Sequence, residues 1–554
     1  HRQPLWCDGP LNAKGADVAA MFADKVRINP GNYVDPARTF KKLEYTDEEY
    51  AQELKKIEDR LTPFIKICKE HHTCVRIGVN HGSLSDRIRN RYGDTPEGIV
   101  ESCMEFLRIF RKQHFDDVVI SIKSSNTVVM VESVRLLVAR MDDEDMHYPL
   151  HLGVTEAGEG EDGRIKSAVG IGALLADGIG DTIRVSLSED PEKEIPVARH
   201  LVWYARRKQG HMLIPGKEAK SFNWVHPARR RTIAVGNIGG NNMPVVIASA
   251  VKAADYDGGH PNVVKLAGGP KADYIYVGDK IPESPVKGQK YIVDFNVYDQ
   301  LLADADRDSA EVAATFFPIY PAPSMPFVGR NNAPLKFLTL QFGTPSEEYL
   351  ACLKAHPEVV VVCMTHHQNR LGDQRALVHE MMEAGVTNPV VFAEMYNHNS
   401  DDNGAADFQL EAAADMGALM VDGFTDGLWL MNDGDIPDDF ITDTAFAILQ
   451  AGRLRMVKTE YISCPGCGRT LYDLRSTIAR IKEATKDMKG LKIGIMGCIV
   501  NGPGEMADAD YGYVGAGPGK VSLYHKKECV EHGIPEAEAV DHLLRLIRDT
   551  QAKQ

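Results

Sequence analysis

Short apolar runs alternate with amphipathic stretches from the start of the chain to about residue 208. The apolar runs are β-rich, end in polar or glycine residues, and lie at PLWCDG near the start and at 26–32, 75–83, 118–126, 150–158 and 181–187. Stretches between them, such as 48–68 and 95–113, carry apolar residues at helical spacing. Repeated strand-then-helix units predict parallel strands with right-handed crossovers, hence an α/β fold.

Polar residues at the carboxyl end of nearly every run favour a barrel over an open doubly wound sheet. A (β/α)8 barrel presents its active site at that end of its strands. Six strands would leave such a barrel without its first two units. We therefore expect a partial TIM-type barrel over residues 1–208, in a chain that is truncated or incomplete at its start, or whose fold is damaged there.

The pattern breaks at 207–232, where glycine, proline and basic residues show little periodicity. A second alternating region follows, which predicts an inserted α/β domain over 209–452. Its strands are expected at 232–236, 244–250, 263–267, 337–342, 359–366, 389–395 and 418–424.

The last hundred residues have a different pattern and predict a small α+β domain over 453–554. Leu474, Ile478 and Ile481 share one helix face, and the strand 491–497 follows. A hairpin around 511–524 and a final amphipathic helix complete the domain.

Composition and charge restrict the classes of partner. The formal net charge of −15 argues against nucleic acid, whose phosphates are held by clustered lysine and arginine. We find no apolar run long enough to span a bilayer and no signal peptide, so we expect a soluble intracellular protein without a membrane partner. The 10 cysteines are scattered, unlike a secreted disulfide scaffold, so a reducing compartment is expected.

The last domain carries a group of cysteines suited to a metal. Cys464 and Cys467 flank the CPGC loop, and Cys498 follows a predicted strand. A CxxC pair alone fits structural zinc, a redox dithiol or coincidence, but a third cysteine without nearby histidines suits an iron-sulfur cluster with one iron bound otherwise. Glu505 could bind that iron, although its spacing alone fits an exposed surface glutamate better.

Long motifs now identify a resemblance. Six motifs resemble, in their order along the chain, those of the 4-hydroxy-3-methylbut-2-enyl diphosphate synthase family: KVRINPGN, RIGVNHGSLSDRI, HLGVTEAGEGEDGRIKSAVGIG, GDTIRVSL, CPGCGRTLYDL and MGCIVNGPGE. The middle region resembles the extra domain of that family's long, three-domain form. One departure is that Asp8, Gly9 and Pro10 stand where the family has Asp-x-His, so a phosphate-binding histidine is missing.

The resemblance implies a reaction and a cofactor. The family opens the ring of 2-C-methyl-D-erythritol 2,4-cyclodiphosphate by a two-electron reduction with loss of water, in the methylerythritol phosphate route to isoprenoids. The last domain should then be of the ferredoxin or sulfite reductase type. It should hold a 4Fe-4S cluster on Cys464, Cys467, Cys498 and Glu505.

The resemblance also implies roles in the barrel. Glu156 should handle a proton near the leaving hydroxyl, although a satisfied strand-end carboxylate is the alternative. His81 could contact the substrate or cap a loop. The full set of implied substrate-binding residues is Arg27, Arg76, Asn80, His81, Lys123, Arg184 and Ser186. Any single arginine among them could instead form a surface salt bridge.

The implied partners are the small cyclic diphosphate and a ferredoxin or flavodoxin donor, and the resemblance allows a homodimer. A cytoplasmic location is expected, or a plastid if the source is a photosynthetic eukaryote. Two rival functions stay open: a structural zinc module with a binding domain, and another 4Fe-4S hydratase or reductase acting on a different substrate.

Overall fold

The computed structural model describes residues 5–7, 13–36, 44–250, 271–401, 403–466, 470–499 and 502–552. The chain divides into two compact units. One unit joins His1–Arg199 with Lys458–Gln554, and the other is His200–Val457. Most of the predicted first and last domains thus falls within one unit, except 200–208 and 453–457, and the three domain boundaries stay a prediction. No helix within the described ranges has the length and apolarity needed to cross a bilayer.

The first sheet has six strands in the described residues, ordered β1 to β6 with every neighbouring pair parallel. The strands are β1 Trp6–Cys7, β2 Lys25–Ile28, β3 Cys74–Asn80, β4 Val118–Ser124, β5 His151–Val154 and β6 Thr182–Ile183. The helices of this part are α1 Ala13–Ala20, α2 Pro30–Tyr33, α3 Asp47–His71, α4 Asp86–Tyr92, α5 Pro96–Lys112, α6 Thr127–Asp143, α7 Gly160–Ala176 and α8 Glu194–Arg207. This is the predicted wall of a parallel barrel, and each predicted strand is confirmed.

Local signals start the helices where the pattern predicts. At α3 the Thr46 hydroxyl accepts the Glu49 amide at 3.2 Å, and the Glu49 carboxylate accepts the Thr46 amide at 2.8 Å, which forms a capping box. At α5 the Thr95 hydroxyl caps the first turn and Pro96 begins it. Each cap satisfies backbone amides of the first turn and so fixes the residue at which the helix begins.

The second unit contains a closed barrel. Its described strands are all parallel and run in chain order from β7 to β14, with β14 pairing back to β7. The strands are β7 Val245–Ser249, β8 Tyr274–Gly278, β9 Lys290–Asp294, β10 Phe316–Tyr320, β11 Lys336–Leu340, β12 Val359–Cys363, β13 Val390–Tyr396 and β14 Gly427–Asn432. The helices are α9 Phe295–Ala303, α10 Ser309–Thr315, α11 Ser346–Ala355, α12 Arg370–Glu383, α13 Gly404–Val421 and α14 Asp438–Ala451.

Two predicted strands of this domain are wrong. Residues 232–236 form only a turn with the isolated bridge between Val235 and Ile238. Residues 418–424 lie in the end of α13 and the turn after it, and that helix is buried on nearly every side, so its apolar residues give no clear helical period. The predicted strand at 263–267 lies outside the described residues, and β8, β9, β10 and β14 were not predicted.

The last part of the first unit forms a five-stranded sheet within the described residues, in the order β15 to β19. The strands are β15 Glu460–Ser463, β16 Lys492–Met496, β17 Tyr511–Gly517, β18 Lys520–His525 and β19 Glu528–Pro535, with helices α15 Leu474–Thr485, α16 Gly502–Glu505 and α17 Glu536–Gln551. The first three strands are parallel and the last two antiparallel to their neighbours. Leu474, Ile478 and Ile481 lie in its core, as their shared face predicted.

Candidate functional site

Cationic side chains from several strands of the first sheet lie around His151. The pKa of His151 is lowered to about 3, first by burial and then by the positive charges of Lys123, Arg76, Lys25 and Arg184. Its Nδ1 lies 2.7 Å from the Thr182 hydroxyl. A neutral imidazole among several cations marks a region of positive potential, where an anion of small size is electrostatically favoured.

Arg27 is held in place by the neighbouring strand. It lies opposite Arg76 in the register of β2 and β3, and its Nη2 donates to the Gly78 carbonyl at 3.1 Å and to Asn80 Oδ1 at 3.3 Å. A Cβ on Gly78 would lie 2.2 Å from Arg27 Nε. Gly78 therefore provides the space through which the arginine passes.

Lys123 and Arg184 approach each other across β5. Lys123 is 5% exposed, and both Lys123 Cε and the Arg184 carbonyl lie close to where a Cβ on Gly153 would stand, at 3.2 and 2.9 Å. Ser186 is buried, with its hydroxyl 3.5 Å from Arg184 Nη2. The structure thus brings the predicted cations of β2, β3 and β4 and of the loop after β6 to one region.

Glu156 follows β5 in a left-handed backbone conformation, with φ of 48°. The Thr155 hydroxyl donates to its Oε2. Burial raises the pKa of Glu156, while the Thr155 hydrogen bond and the charges of Arg184 and Lys123 oppose that rise. A carboxyl with a raised pKa next to cations is suited to holding a proton at higher pH than usual.

His81 begins a short 3-10 helix after β3. Its Nδ1 lies 3.3 Å from the Ser124 hydroxyl, and its Nε2 lies 2.9 Å from Asp94 Oδ1. Both ring nitrogens therefore face protein groups, which favours the loop-capping alternative over contact with substrate.

Two of the predicted cysteines leave adjacent parallel strands. Cys464 follows β15 and Cys498 follows β16, and Cys464 Sγ accepts the Gly497 amide at 3.2 Å. Burial raises the pKa of Cys464 to about 11, opposed by the Gly497 and Gly466 amides and reinforced by the negative charges of Glu156 and Cys498. Sulfur that accepts backbone amides is the environment expected of a metal-bound thiolate.

Cys467 lies outside the described residues. The described part of the chain, which leaves this cysteine out, contains no group of three or more His, Cys, Asp or Glu side chains placed to hold a metal ion. The thiols of Cys464 and Cys498 nonetheless fit the predicted donor set, because the two residues follow neighbouring parallel strands and Cys464 accepts the Gly497 amide.

Glu505 ends the short helix α16 and is 4% exposed, which argues against the surface-glutamate alternative. Its carbonyl accepts the Ser125 hydroxyl at 3.3 Å. A Cβ on Gly82 would lie 2.4 Å from the Glu505 amide nitrogen, and one on Gly504 would lie 1.6 Å from the Gly82 carbonyl oxygen. Glycine at both positions permits this close backbone approach.

The C-terminal sheet contacts the loops after β3, β4, β5 and β6. Beyond the contacts of Glu505, Ala157 bridges to Ser463 as a parallel pair. The Ser188 hydroxyl lies 3.0 Å from Ser463 Oγ and donates to the Cys464 carbonyl at 3.1 Å. The edge that carries the predicted ligands therefore covers the carboxyl ends of the strands that carry the predicted cations.

Sequence reasoning missed the residues that fasten this sheet to the barrel. Ser125, Lys166 and Ser188 come from the barrel, and Glu460 from β15. The available signal was Lys166 within the otherwise apolar face of IKSAVGIG, since lysine is rarely buried without a partner. Asp8, Gly9 and Pro10, where the sequence departs from the family's Asp-x-His, lie outside the described residues.

The comparisons with known proteins agree with this geometry. A sequence profile described as "GcpE TIM-barrel domain" matches residues 2–199, and one described as "GcpE protein C-terminal domain" matches 460–549. Three bacterial relatives share the name 4-hydroxy-3-methylbut-2-en-1-yl diphosphate synthase (flavodoxin). The relative from Bacteroides thetaiotaomicron is 61% identical over 548 residues, which cover 99% of this chain and 85% of that protein. The one from Phocaeicola vulgatus is 60% identical, covering 98% and 85%, and one from Bacteroides fragilis is 59% identical, covering 98% and 83%.

Proposed function

Because the chain belongs to the GcpE family, as its motifs predicted, we propose that it converts 2-C-methyl-D-erythritol 2,4-cyclodiphosphate to 4-hydroxy-3-methylbut-2-enyl diphosphate. The reaction is a two-electron reductive ring opening with loss of a hydroxyl as water. The observation that carries this proposal is the single edge at which barrel cations and cysteine-bearing strand ends meet. A diphosphate ester and a redox centre both fit that edge.

The barrel residues bind and orient the substrate. Arg27, Arg76, Lys123 and Arg184 supply charge to the diphosphate, and Ser186 supplies a hydroxyl. Guanidinium groups suit this task because their planar N–H groups match phosphate oxygens in pairs. Asn80 acts through Arg27, whose guanidinium donates to it. His81 is assigned to the loop, since Ser124 and Asp94 face its ring.

Cys464, Cys467, Cys498 and Glu505 would hold a 4Fe-4S cluster. When bound, such a cluster supplies electrons one at a time together with an iron able to accept an oxygen ligand. Glu505 suits the exchangeable position because a carboxylate is displaced more easily than a thiolate. Its burial and its backbone contacts with Gly82 and Ser125 keep that position beside the barrel.

Glu156 holds the proton that leaves with the hydroxyl as water. Burial favours its protonated form, and the Thr155 hydroxyl fixes its Oε2. The neighbouring Ala157 pairs with Ser463 of the C-terminal sheet, which limits the access of bulk water to this carboxyl and so favours its protonated form.

The wider setting is proposed from the relatives and the domain pattern. The electron donor is flavodoxin, as the relatives' names state for those proteins, or a ferredoxin. The location is the bacterial cytoplasm. The three functional domains are 1–208, 209–452 and 453–554. Since one unit carries both halves of the site, the reaction needs no second copy of the chain.

Anaerobic reconstitution with iron and sulfide, followed by dithionite-driven turnover of the cyclodiphosphate, tests the proposal. Broad visible absorbance, four irons per chain and formation of the linear diphosphate are the expected results. Tightly bound zinc and no iron after reconstitution would instead favour the structural zinc module. A protein that binds the cluster and acts on other substrates but not on the cyclodiphosphate would favour the rival hydratase or reductase.

A further inference from the structure

A buried ion pair joins the barrel to the strand that leads into the cysteine loop. Lys166 Nζ in α7 lies 3.1 Å from Glu460 Oε1 at the start of β15. The two side chains are only 6% and 3% exposed. Lys166 Nζ also lies 3.4 Å from the Tyr461 carbonyl oxygen. An unpaired buried charge is costly, so the positive charge of Lys166 depends on the groups of β15 that face it.

The other end of the same short strand is held by different groups of the barrel. Ser463 pairs with Ala157, and the Ser188 hydroxyl reaches Ser463 and the Cys464 carbonyl. Strand β15 is thus attached at its first residue by charge and at its last by hydrogen bonds. The position of Cys464 follows from both attachments, since this residue comes directly after a strand of only 4 extended residues.

We propose that Lys166 is a positioning residue for the reaction, which acts through Glu460 to seat β15 on the barrel and so sets Cys464 over the cationic region. The inference rests on the proposed function and deepens it, because it assigns the seating of the C-terminal sheet on the barrel to the ion pair of Lys166 and Glu460. Lys166 does not contact the substrate, whose diphosphate is bound by other barrel residues.

Two other ion pairs between the barrel and the C-terminal part of the chain are more exposed than the pair of Lys166 and Glu460. Lys458 lies 2.8 Å from Asp162, with side chains 43% and 25% exposed, and Lys482 lies 3.0 Å from Glu159. Exposed pairs contribute little because water and salt screen them, whereas a buried pair that loses one partner leaves a desolvated charge. The effect on closure should therefore be concentrated at Lys166 and Glu460.

The test compares Lys166→Met with the control Lys458→Met in the full reconstituted protein. Lys166→Met should lower kcat by roughly tenfold or more. It should leave KM and the Kd for inorganic pyrophosphate within about twofold, because the diphosphate site lies in the barrel. Deuterium uptake at the amides of 460–464 should rise, while that of β16 to β18 stays unchanged. Lys458→Met should change none of these quantities by more than about twofold.

Two further variants keep the test decisive. If Lys166→Met fails to fold, Glu460→Gln tests the same ion pair from its other partner. It should show the same loss of kcat and the same rise in deuterium uptake at 460–464. Lys166→Arg, which keeps the charge, should recover most of the lost kcat. Normal kcat with normal exchange at 460–464 in both neutral variants would overturn the inference. The exchange measurement needs no turnover, so it tests the seating of β15 even in an inactive protein. Absent activity in the parent protein would therefore refute only the proposed function.

Discussion

Replacing Gly78 by alanine should weaken substrate binding without unfolding the barrel. The added Cβ would stand 2.2 Å from Arg27 Nε, 3.0 Å from Cδ and 3.1 Å from Cγ. All three atoms belong to one flexible side chain, so the arginine can move and the backbone need not. The guanidinium would then leave its bonds to the Gly78 carbonyl and Asn80.

The expected magnitude follows from the bonds at stake. Hydrogen bonds to a charged group contribute about 1.5–3 kcal/mol, and about 1.4 kcal/mol corresponds to tenfold in a binding constant. Losing the Arg27 contact should therefore raise KM for the cyclodiphosphate, and the Kd for pyrophosphate, by roughly tenfold to a hundredfold. The free energy of unfolding should change by less than about 1 kcal/mol, since alanine is tolerated in a strand.

Steady-state kinetics and pyrophosphate titration measure this change, and urea unfolding measures stability. Gly517→Ala is the matched control, because nothing lies within 4 Å of where its Cβ would stand. Arg27→Ala should show a similar KM to Gly78→Ala, and the double variant should add little. An unchanged pyrophosphate Kd in Gly78→Ala, with the protein folded, would refute the placement of Arg27 in the diphosphate site.

Three more outcomes are expected. Glu505→Cys should retain a cluster and lose turnover, because a fourth thiolate is not readily displaced; full activity in it would contradict the assigned ligand. Glu394 in β13 is 1% exposed and burial raises its pKa from 4.5 to about 8, so the folded state keeps a proton that the unfolded state releases. The free energy of unfolding should fall as pH rises between those values, by up to about 1.4 kcal/mol per pH unit, and Glu394→Gln should remove that slope in urea unfolding followed by Trp429 fluorescence. Leu543→Ala, at 0% exposure in the C-terminal core, should cost about 2–5 kcal/mol in chemical unfolding of that sheet, whereas Leu544→Ala should cost less because that residue is only partly buried.

The barrel wall could be predicted because its strands end in polar motifs and several of its helices begin at a side-chain cap. The run that becomes β3 and the capped start of α3 at Thr46 are examples. In the second unit the same pattern located β7, β11, β12 and β13 and missed β8, β9, β10 and β14. Helix α13 is buried on nearly every side, so its apolar run shows no clear period, and the short strands β9 and β10 carry tyrosine, proline and charged residues within a few positions.

The candidate site was predicted by residue identity, and its geometry was not. Motifs marked Arg27, Lys123 and Cys464, but spacing along the chain carries no information on which strand ends a separate sheet will cover. The Ser125 contact with Glu505 spans 380 residues of sequence. The buried pair of Lys166 and Glu460 was missed as well, because a lysine within the apolar run IKSAVGIG signals a buried partner but does not show which residue that partner is.

The insertion of a complete closed barrel between the two halves of the first unit has a consequence for assembly. The C-terminal sheet binds the first sheet as a ligand that is covalently tethered to it through His200–Val457. Its effective concentration at the first sheet depends on the length and stiffness of that tether. When His200–Val457 is folded, the connection between the two halves runs through a compact unit, whereas the same segment when unfolded is a long flexible loop whose closure costs entropy. Destabilising the middle barrel would therefore lower the fraction of molecules in which the C-terminal sheet covers the first sheet, so residues of His200–Val457 would affect how often the site is complete.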